Sequence, residues 1–326
     1  MKNPKVFIIS EIGINHEGDV NKCLKMIDKA KKSGSDAVKL QIVSPDQSYP
    51  KNSISYKIFT KSELSKGDLC KIFKYAKKKK IKIFATCDTI ENIRKINKYN
   101  PFAFKVSSGL SNNIYILKYL KKLKKKIFIS VGLLKNNEIN NILNKLQNYK
   151  NIILMHSISR YPTINKDLNL NSIDFLKKNY KKYKIGYSDH TKNDDAIITS
   201  IAKGCSYIEK HFTFDKKRKG FDHSISYDYK DMLRLKKKID KTEIILGKNV
   251  YNNYKFQKKE RLQFLRYVVA KNKIFKNNKL KKKDVRFMRV KNGSGAIDPI
   301  NLFKYINKKL RRDIDINCVI KGNDFK

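Results

Sequence analysis

Long apolar runs are missing from this sequence. No stretch approaches the roughly 18 uncharged apolar residues that suggest a membrane-spanning helix, and the early run KVFIIS is too short for the core of a signal peptide. Cysteine is scarce as well. The five cysteines are scattered, show no CxxC spacing and would leave one unpaired in any disulfide scheme. These absences predict a cytoplasmic protein with reduced cysteines and no association with a membrane.

Acidic residues are few relative to basic ones. Asp and Glu total 29 against 75 Lys and Arg, which gives a formal net charge of +46 at pH 7. Such a charge can indicate nucleic-acid binding. The lysines, however, are spread through segments such as KKKKIKI and KKLKKKIF, with no helix-turn-helix, zinc-finger or aromatic RNA-binding signature. We expect them mainly to cover solvated faces, and a basic nucleic-acid-binding protein stays open as an alternative.

Eight short apolar runs occur in the first 245 residues, mostly separated by amphipathic segments. The runs are KVFIISEIGIN, DAVKLQI, KIFATCD, FAFKVSSG, KIFISVG, IILMHS, KIGYSDH and YIEKHFT. Near-continuous apolar runs are expected of parallel strands that are buried on both faces. Eight strand–helix units favour an α/β fold of the (β/α)₈ TIM-barrel type over a doubly wound sheet. A long insertion after the second run is then expected at the active-site end of the barrel.

Polar residues collect where these runs end. The ends carry Glu11, Lys39, Gln41, Thr86, Lys105, Ser108, Ser130, Ser188, His190, Glu209 and His211. Side chains at the carboxyl ends of barrel strands converge on the active site, and burying such groups unpaired is costly. Lysines with hydroxyls suit a phosphate or carboxylate, whereas His190 and His211 suit a divalent transition metal.

Each of these residues also has a structural explanation. A strand-end histidine is often only a hydrogen-bonded structural residue, and Lys39 or Lys105 alone would serve equally well as an ion-paired barrel residue. Glu11 is a candidate acid or base. The residues alone therefore predict a barrel enzyme that acts on an anion and uses a metal.

Several motifs, in order along the chain, carry a resemblance to a known family. The segment EIGINHEGDVNKCLKMIDKAKKSGSDAVKLQ resembles the opening of the sialic acid synthase family, which includes N-acetylneuraminate, legionaminate and pseudaminate synthases. The likeness continues through FKVSSG, IFISVG, HSISRYP, IGYSDHT and IEKHFT and covers nearly the whole chain. It implies a TIM-barrel enzyme that condenses phosphoenolpyruvate with an N-acetylated amino sugar, such as N-acetylmannosamine, and releases phosphate.

The resemblance also implies a domain organisation. Residues 1–245 would form the barrel and residues 246–261 a linker, while residues 262–326 resemble the small β-rich antifreeze-protein-like (SAF-type) domain of the family. In that domain, NLFKYINKKLRRDI is expected to form a short helix. In the family this domain caps the barrel of a second subunit, which implies a domain-swapped homodimer in which Arg289 reaches the neighbouring sugar site.

Functional roles follow from the resemblance position by position. His190 and His211 match the ligands of a divalent metal, with Mn²⁺ expected and Mg²⁺ or Co²⁺ as alternatives, and Glu11 matches a carboxylate close to the reacting centre. The positions that match phosphoenolpyruvate-binding residues are Lys39, Thr86, Lys105, Ser108, Ser130 and Ser188. The positions on the sugar side are Gln41, Ser159, Tyr161, Asp222 and Arg289.

Three departures from the family pattern lie near the expected substrates, one of which is that Cys87 and Asp88 follow Thr86 where proline and an aromatic residue are common. Leu110 stands where neuraminate-making members carry glutamate, and Ser159 stands where many members carry asparagine, so the identity of the sugar stays open. A second enzyme alternative is a Schiff-base aldolase on the same barrel, with Lys39, Lys105 or Lys210 as the nucleophile.

Overall fold

The computed structural model describes residues 5–147, 149–247, 257–291 and 293–326. The chain divides into two compact units, residues 1–248 and residues 249–326. In the described ranges, no helix is both long enough and apolar enough to cross a membrane. All five cysteines are free thiols.

The first unit is a closed barrel of eight parallel strands, β1 to β8, in chain order. The strands are Phe7–Gly13, Ala37–Ile42, Lys82–Cys87, Ala103–Val106, Lys126–Ser130, Ile152–Ser157, Lys184–Asp189 and Tyr207–His211. Each lies within one of the apolar runs, and β1 pairs with both β2 and β8 to close the barrel. The predicted (β/α)₈ fold is confirmed.

Helices connect the strands on the outside of the barrel. Helices α1 to α10 are Val20–Lys32, Pro45–Ser48, Ile54–Lys61, Lys66–Lys78, Ile90–Asn97, Ile114–Lys122, Asn136–Lys145, Asn171–Asn179, Asp195–Ala202 and Tyr229–Leu246. The Asp19 carboxylate accepts a hydrogen bond from the backbone N–H of Lys22 and so caps α1. Gly34 follows the end of α1 with φ of +89°, a left-handed conformation that favours glycine. Helices α2 and α3 lie in the long insertion after β2.

An aromatic layer fills the barrel interior toward the amino-terminal ends of the strands. Phe84 and Phe128 stack with ring centroids 5.3 Å apart, and Tyr207 meets Phe128 edge-on at the same distance. Ile9 and Met155 complete this buried layer. These rings separate the polar cavity at the carboxyl ends of the strands from the amino-terminal end of the barrel interior.

The second unit contains a two-stranded antiparallel sheet around a small core. Helix α11, Lys258–Phe264, precedes strands β9, Tyr267–Ala270, and β10, Val285–Met288. Its buried core residues are Val268, Ala270, Ile274, Leu280, Ile297, Leu310, Ile314, Ile320 and Phe325. The resemblance to an antifreeze-protein-like domain stays a prediction.

Local structure around the predicted linker and tail helix differs from the simple expectation. Helix α10 continues to Leu246, one residue into the predicted linker 246–261, and α11 crosses its other boundary; residues 248–256 lie outside the described residues. The helix predicted for NLFKYINKKLRRDI is wrong. A short 3₁₀ segment, Pro299–Lys304, covers only the first residues of that stretch. Asn307 has φ of +67°, which ends helical geometry, and Leu310 then forms a β-bridge with Phe325.

Candidate active site

A cavity of about 310 Å³ opens at the carboxyl ends of the barrel strands. It brings together the predicted site residues Lys39, Gln41, Thr86, Lys105, Ser108, Ser130, Ser159, Tyr161, Ser188, His190 and His211. The strand register explains this convergence, since Glu11 lies opposite both Lys39 and His211 on neighbouring strands, and Ser188 lies opposite Glu209. Residues far apart in the sequence thus reach one level of the barrel.

The insertion after β2 forms the wall of a neighbouring cavity. This second cavity has a volume of about 320 Å³, shares Gln41 with the first, and is lined by residues 41–44, 62–66 and several others. Asp88 anchors its inner edge, because the Asp88 carboxylate accepts hydrogen bonds from the backbone N–H of Ser44 and the hydroxyl of Ser48. The insertion therefore lies at the active-site end of the barrel, as its position in the sequence predicts.

A network of two lysines and two carboxylates lies at the bottom of the first cavity. Lys39 Nζ is 3.0 Å from Glu11 Oε2 and 3.5 Å from Glu209 Oε1. Lys105 Nζ is 3.0 Å from both carboxylate oxygens of Glu209. All four side chains are buried, so each charge depends on the others for compensation.

The two carboxyl groups differ in acidity because their partners differ. Burial raises the pKa of Glu11 to about 7, a change that Lys39 only partly opposes and that Glu209 reinforces. Burial acts on Glu209 in the same direction, but Lys105 and Lys39, with hydrogen bonds from Lys105 and Ser188, outweigh it and hold its pKa well below the usual range. Glu209 is therefore a fixed anion, whereas Glu11 can exchange a proton near neutral pH.

Carboxylates hold all three lysines that the aldolase alternative names as nucleophiles, Lys39, Lys105 and Lys210. Burial acts to lower the pKa of Lys39, but Glu11 and Glu209 outweigh it, so this amine stays protonated. Burial lowers the pKa of Lys105. Glu209 opposes this change, because both of its carboxylate oxygens accept hydrogen bonds from Lys105 Nζ. Lys210 is paired with Asp189 at 2.7 Å and does not line the cavity. These contacts count against the aldolase alternative.

His190 and His211 lie side by side above this network. Their ring centroids are 5.5 Å apart, and the Tyr161 ring lies 4.2 Å from that of His190. His190 Nδ1 donates to the carbonyl of Ile158 at 2.7 Å, which leaves Nε2 with its lone pair. His211 Nδ1 is buried without a hydrogen bond, and Asp222 Oδ2 lies 3.4 Å from it.

Both imidazoles are neutral at physiological pH. Burial lowers the pKa of His190, and burial together with the neighbouring His190 and Lys39 lowers that of His211 well below its ordinary value. Neutral imidazoles are the form that binds transition metals. Across the described ranges of the chain, no group of three or more His, Cys, Asp or Glu is arranged to hold a metal ion. Any metal here would take two protein nitrogens and keep other positions open.

Comparison with known proteins places the chain in a family. A sequence model described as the NeuB family matches residues 26–251. The chain belongs to the NeuB family. It is an enzyme of the phosphoenolpyruvate-dependent synthase type that this family comprises, and the resemblance noted from its motifs is confirmed.

Three proteins from the comparison illustrate the similarity. The chain is 31% identical to the N,N'-diacetyllegionaminic acid synthase of Campylobacter jejuni, over 90% of this chain and 93% of that protein. It is 28% identical to the pseudaminic acid synthase of the same species, over 99% and 97% of the two chains. The crystal structure of the N-acetylneuraminic acid synthetase from Leptospira borgpetersenii superposes with a TM-score of 0.76 at 30% identity, covering 78% of this chain and 90% of that one.

Three predicted residues of this NeuB-family chain, Glu11, Asp222 and Arg289, lie apart from the lining. Glu11 is reached through Gln41, whose side-chain amide donates to Glu11 Oε1 at 3.0 Å. Arg289 lies in the second unit, with its guanidinium 5.1 Å from the centre of the Phe264 ring. Its contribution to a sugar site stays a prediction.

Glu209 and Ser157 are among the cavity-lining residues to which the sequence analysis gave no role. Glu209 links both lysines, and the strand YIEKH does contain the signal, since Glu209 is two residues before His211 and shares its face. The Ser157 hydroxyl lies 3.1 Å from that of Ser108. No sequence signal marked Ser157, because small hydroxyl residues are common at strand ends.

Proposed function

We propose that this protein is a nonulosonic acid synthase that condenses phosphoenolpyruvate with an N-acetylated amino sugar, such as N-acetylmannosamine, and releases phosphate. One observation carries the proposal, namely that two lysines, several hydroxyls and two neutral histidines share one cavity in a NeuB-family chain. The names of its relatives support a nine-carbon sugar acid as product, because those proteins are legionaminic and pseudaminic acid synthases.

The phosphoenolpyruvate would occupy the floor of the cavity. Its phosphate and carboxylate need cations and hydroxyl donors, and Lys39 and Lys105 supply the cations. The hydroxyls that line the same floor are those of Thr86, Ser108, Ser130 and Ser188. Thr86 already accepts a hydrogen bond from Lys39 at 3.1 Å, so the cation and the hydroxyl are arranged to bind the same oxygen.

The two histidines fit a divalent metal, for which Mn²⁺ is the expected ion and Mg²⁺ or Co²⁺ are alternatives. His190 is oriented by its bond to the Ile158 carbonyl, in the way that metal-binding histidines are commonly held, and the buried Nδ1 of His211 lacks a hydrogen bond. When bound, such a metal supplies Lewis-acid polarisation of the sugar's aldehyde carbonyl.

The carbon–carbon bond forms when carbon 3 of phosphoenolpyruvate attacks the aldehyde carbon. The aldehyde oxygen gains a proton, and water adds to carbon 2 and loses one, which gives a tetrahedral intermediate that expels phosphate. Glu11 is our candidate for moving these protons, because its pKa of about 7 permits both protonation states at the working pH. Lys39 Nζ lies 3.0 Å from Glu11 Oε2 and stabilises the carboxylate form of Glu11 once its proton has been passed on.

The sugar would lie nearer the cavity mouth. Gln41, Ser159 and Tyr161 line that side, and Asp222 lies next to His211. The resemblance further supports a domain-swapped homodimer in which Arg289 of one protomer serves the sugar site of the other. Light scattering of the purified protein tests that assembly, and a monomer with full activity would contradict it.

Phosphate release from phosphoenolpyruvate tests the function directly. Purified protein is assayed with Mn²⁺ or with a chelator, against N-acetylmannosamine, its 6-phosphate, and the diacetamido sugars that lead to legionaminate and pseudaminate. Release that requires both the metal and one of these sugars supports the proposal and identifies the substrate. A folded, metal-loaded protein that releases no phosphate with any of them would overturn it.

A further inference from the structure

His223 lies in a buried cluster just outside the cavity. Its side chain is 0% exposed. His223 Nε2 is 2.9 Å from Glu17 Oε1, and His223 Nδ1 is 2.7 Å from the hydroxyl of Thr213. Glu17 belongs to the loop between β1 and α1, whereas Thr213 and His223 belong to the loop between β8 and α10. The cluster therefore joins two loops at the active-site end of the barrel.

The direction of these hydrogen bonds follows from the chemistry of the groups. Burial acts to raise the pKa of Glu17, but Lys22, His223 and Arg218 outweigh it and keep the group a carboxylate. A carboxylate only accepts, so His223 Nε2 carries the proton and donates it. The ring is neutral because burial lowers the pKa of His223, and Nδ1 then accepts from the Thr213 hydroxyl. Every polar atom of the imidazole is thus satisfied.

The Glu17–His223–Thr213 contacts have the order of a catalytic triad, but Thr213 is not a nucleophile in this arrangement. Thr213 and His223 are both fully buried, and neither lines the cavity. A substrate has no access to that hydroxyl. The chain of hydrogen bonds consequently has a positioning role.

Asn15 makes a second connection between the same two loops. Its side-chain amide donates to the carbonyl of Phe212 and to the hydroxyl of Ser226, each at 2.9 Å. Its side-chain oxygen accepts the backbone N–H of Asp222 at 3.1 Å. The backbone of Asp222 is therefore held between Asn15 on one side and the His223–Glu17 contact on the next residue.

We propose that Glu17, Asn15 and His223 form a clasp that fixes Asp222 at the edge of the cavity and thereby sets the affinity for the sugar acceptor. The proposal rests on the proposed function, in which Asp222 contacts the sugar. Asp222 Oδ2 lies 3.4 Å from His211 Nδ1, so a shift of this loop moves the carboxylate relative to the sugar side of the cavity. The side chains proposed to bind phosphoenolpyruvate lie on or after β2, β3, β4, β5 and β7, away from the two loops that the clasp joins, so we expect their positions to stay unchanged.

Kinetics separates this positioning role from a general loss of structure. For Glu17→Ala and His223→Ala we expect the KM for the sugar to rise about tenfold, as for loss of a charge-assisted hydrogen bond, with the KM for phosphoenolpyruvate within about twofold of the parent value. Glu17→Gln keeps an oxygen that accepts from His223 and should recover most of the sugar affinity. Lys217→Ala, on the same loop and exposed, is the matched control and should match the parent enzyme. Equal rises in both KM values would overturn the proposal.

A double variant tests whether the clasp acts through Asp222. In an Asp222→Ala background, adding His223→Ala should change the sugar KM by less than about twofold, because the effects of two residues that act in series are not additive. Full additivity would contradict the proposal.

Hydrogen exchange tests the clasp without any activity. Peptides covering residues 213–226 should exchange faster in Glu17→Ala and His223→Ala than in the parent, while peptides from β3 to β6 stay unchanged. Unchanged exchange in the loop would remove the clasp, even if the enzyme proves to be a sugar acid synthase. Faster exchange in an enzyme that proves inactive with every sugar would instead contradict the proposed function and leave the clasp as a positioning device for Asp222.

Discussion

Lys105 Nζ lies 3.0 Å from both carboxylate oxygens of Glu209, and this contact joins β4 to β8 across the barrel interior. Glu209 also accepts from Ser188 at 2.8 Å and lies 3.5 Å from Lys39 Nζ. One carboxylate thus compensates two buried cations that we propose to bind phosphoenolpyruvate. The arrangement keeps Lys39 protonated and holds both amines in place before the substrate arrives.

Glu209→Gln should destabilise the protein and increase its response to an anion. Removing one partner of a buried ion pair typically costs about 3–5 kcal/mol, because Lys39 and Lys105 lose their compensation. Chemical denaturation measures that loss. The shift in thermal midpoint on adding phosphoenolpyruvate should be larger than in the parent, since the ligand then supplies the missing negative charge.

Ser188→Ala is the matched comparison for this variant. It removes one hydrogen bond to Glu209 and leaves the charges in place, so we expect a loss of about 1 kcal/mol. Equal stability of parent and Glu209→Gln would contradict the assignment of Glu209 as the compensating charge.

His190→Ala and His211→Ala should each abolish metal-stimulated turnover while leaving the fold intact. The measurements are metal content after dialysis, titration calorimetry with Mn²⁺, and phosphate release. His156→Gln is the control, because His156 contacts the carbonyl of Leu168 and does not line the cavity. Near-normal turnover and metal binding in both alanine variants would end the metal assignment.

Glu11 should make both stability and rate depend on pH in the range below about 7. Its pKa is raised from 4.5 to about 7 in the folded protein, so the folded state holds a proton that the unfolded state has released. The raised pKa of Glu11 contributes its full stabilisation of the folded protein below about pH 4.5, and this contribution is lost as the pH rises toward 7. The free energy of unfolding should fall by an amount on the order of 3 kcal/mol over that range.

Denaturation of the parent and of Glu11→Gln at several pH values measures that difference. The parent should lose stability relative to the variant between pH 4.5 and 7. The rate of the parent should also show a limb with an apparent pKa near 7 that is absent from the residual rate of Glu11→Gln. Parallel stability curves for the two proteins would show that Glu11 is not the titrating group.

Arg289→Ala should weaken use of the sugar and preserve binding of phosphoenolpyruvate. The expected change is a rise of about tenfold or more in the sugar KM, as for a lost charge-assisted hydrogen bond. Lys271→Ala, in the same unit, controls for the loss of a positive charge. Unchanged sugar kinetics would contradict a contribution of Arg289 to sugar binding.

The strands and most of the cavity residues were predictable, because both follow from the local order of apolar and polar residues in the sequence. Continuous apolar runs such as KIFIS and IILMHS permit burial on both faces, and strand-end residues share a level once eight parallel strands close. The contact between Lys105 and Glu209 was not predictable, since these residues are 104 positions apart and their proximity depends on how long side chains cross the interior. The tail helix failed for a different reason, because β-bridging at Leu310 outweighs the local helical tendency.

The aromatic layer of Phe84, Phe128 and Tyr207 has a kinetic consequence. It closes the amino-terminal end of the barrel interior, so we expect substrates to reach the lysines only through the mouth of the cavity at the carboxyl ends of the strands. Lys39 and Lys105 are 3% exposed, whereas Tyr161 is 54% exposed. Under the proposed function, phosphoenolpyruvate must then bind first and the sugar second. A dead-end analogue of the sugar should consequently inhibit uncompetitively with respect to phosphoenolpyruvate.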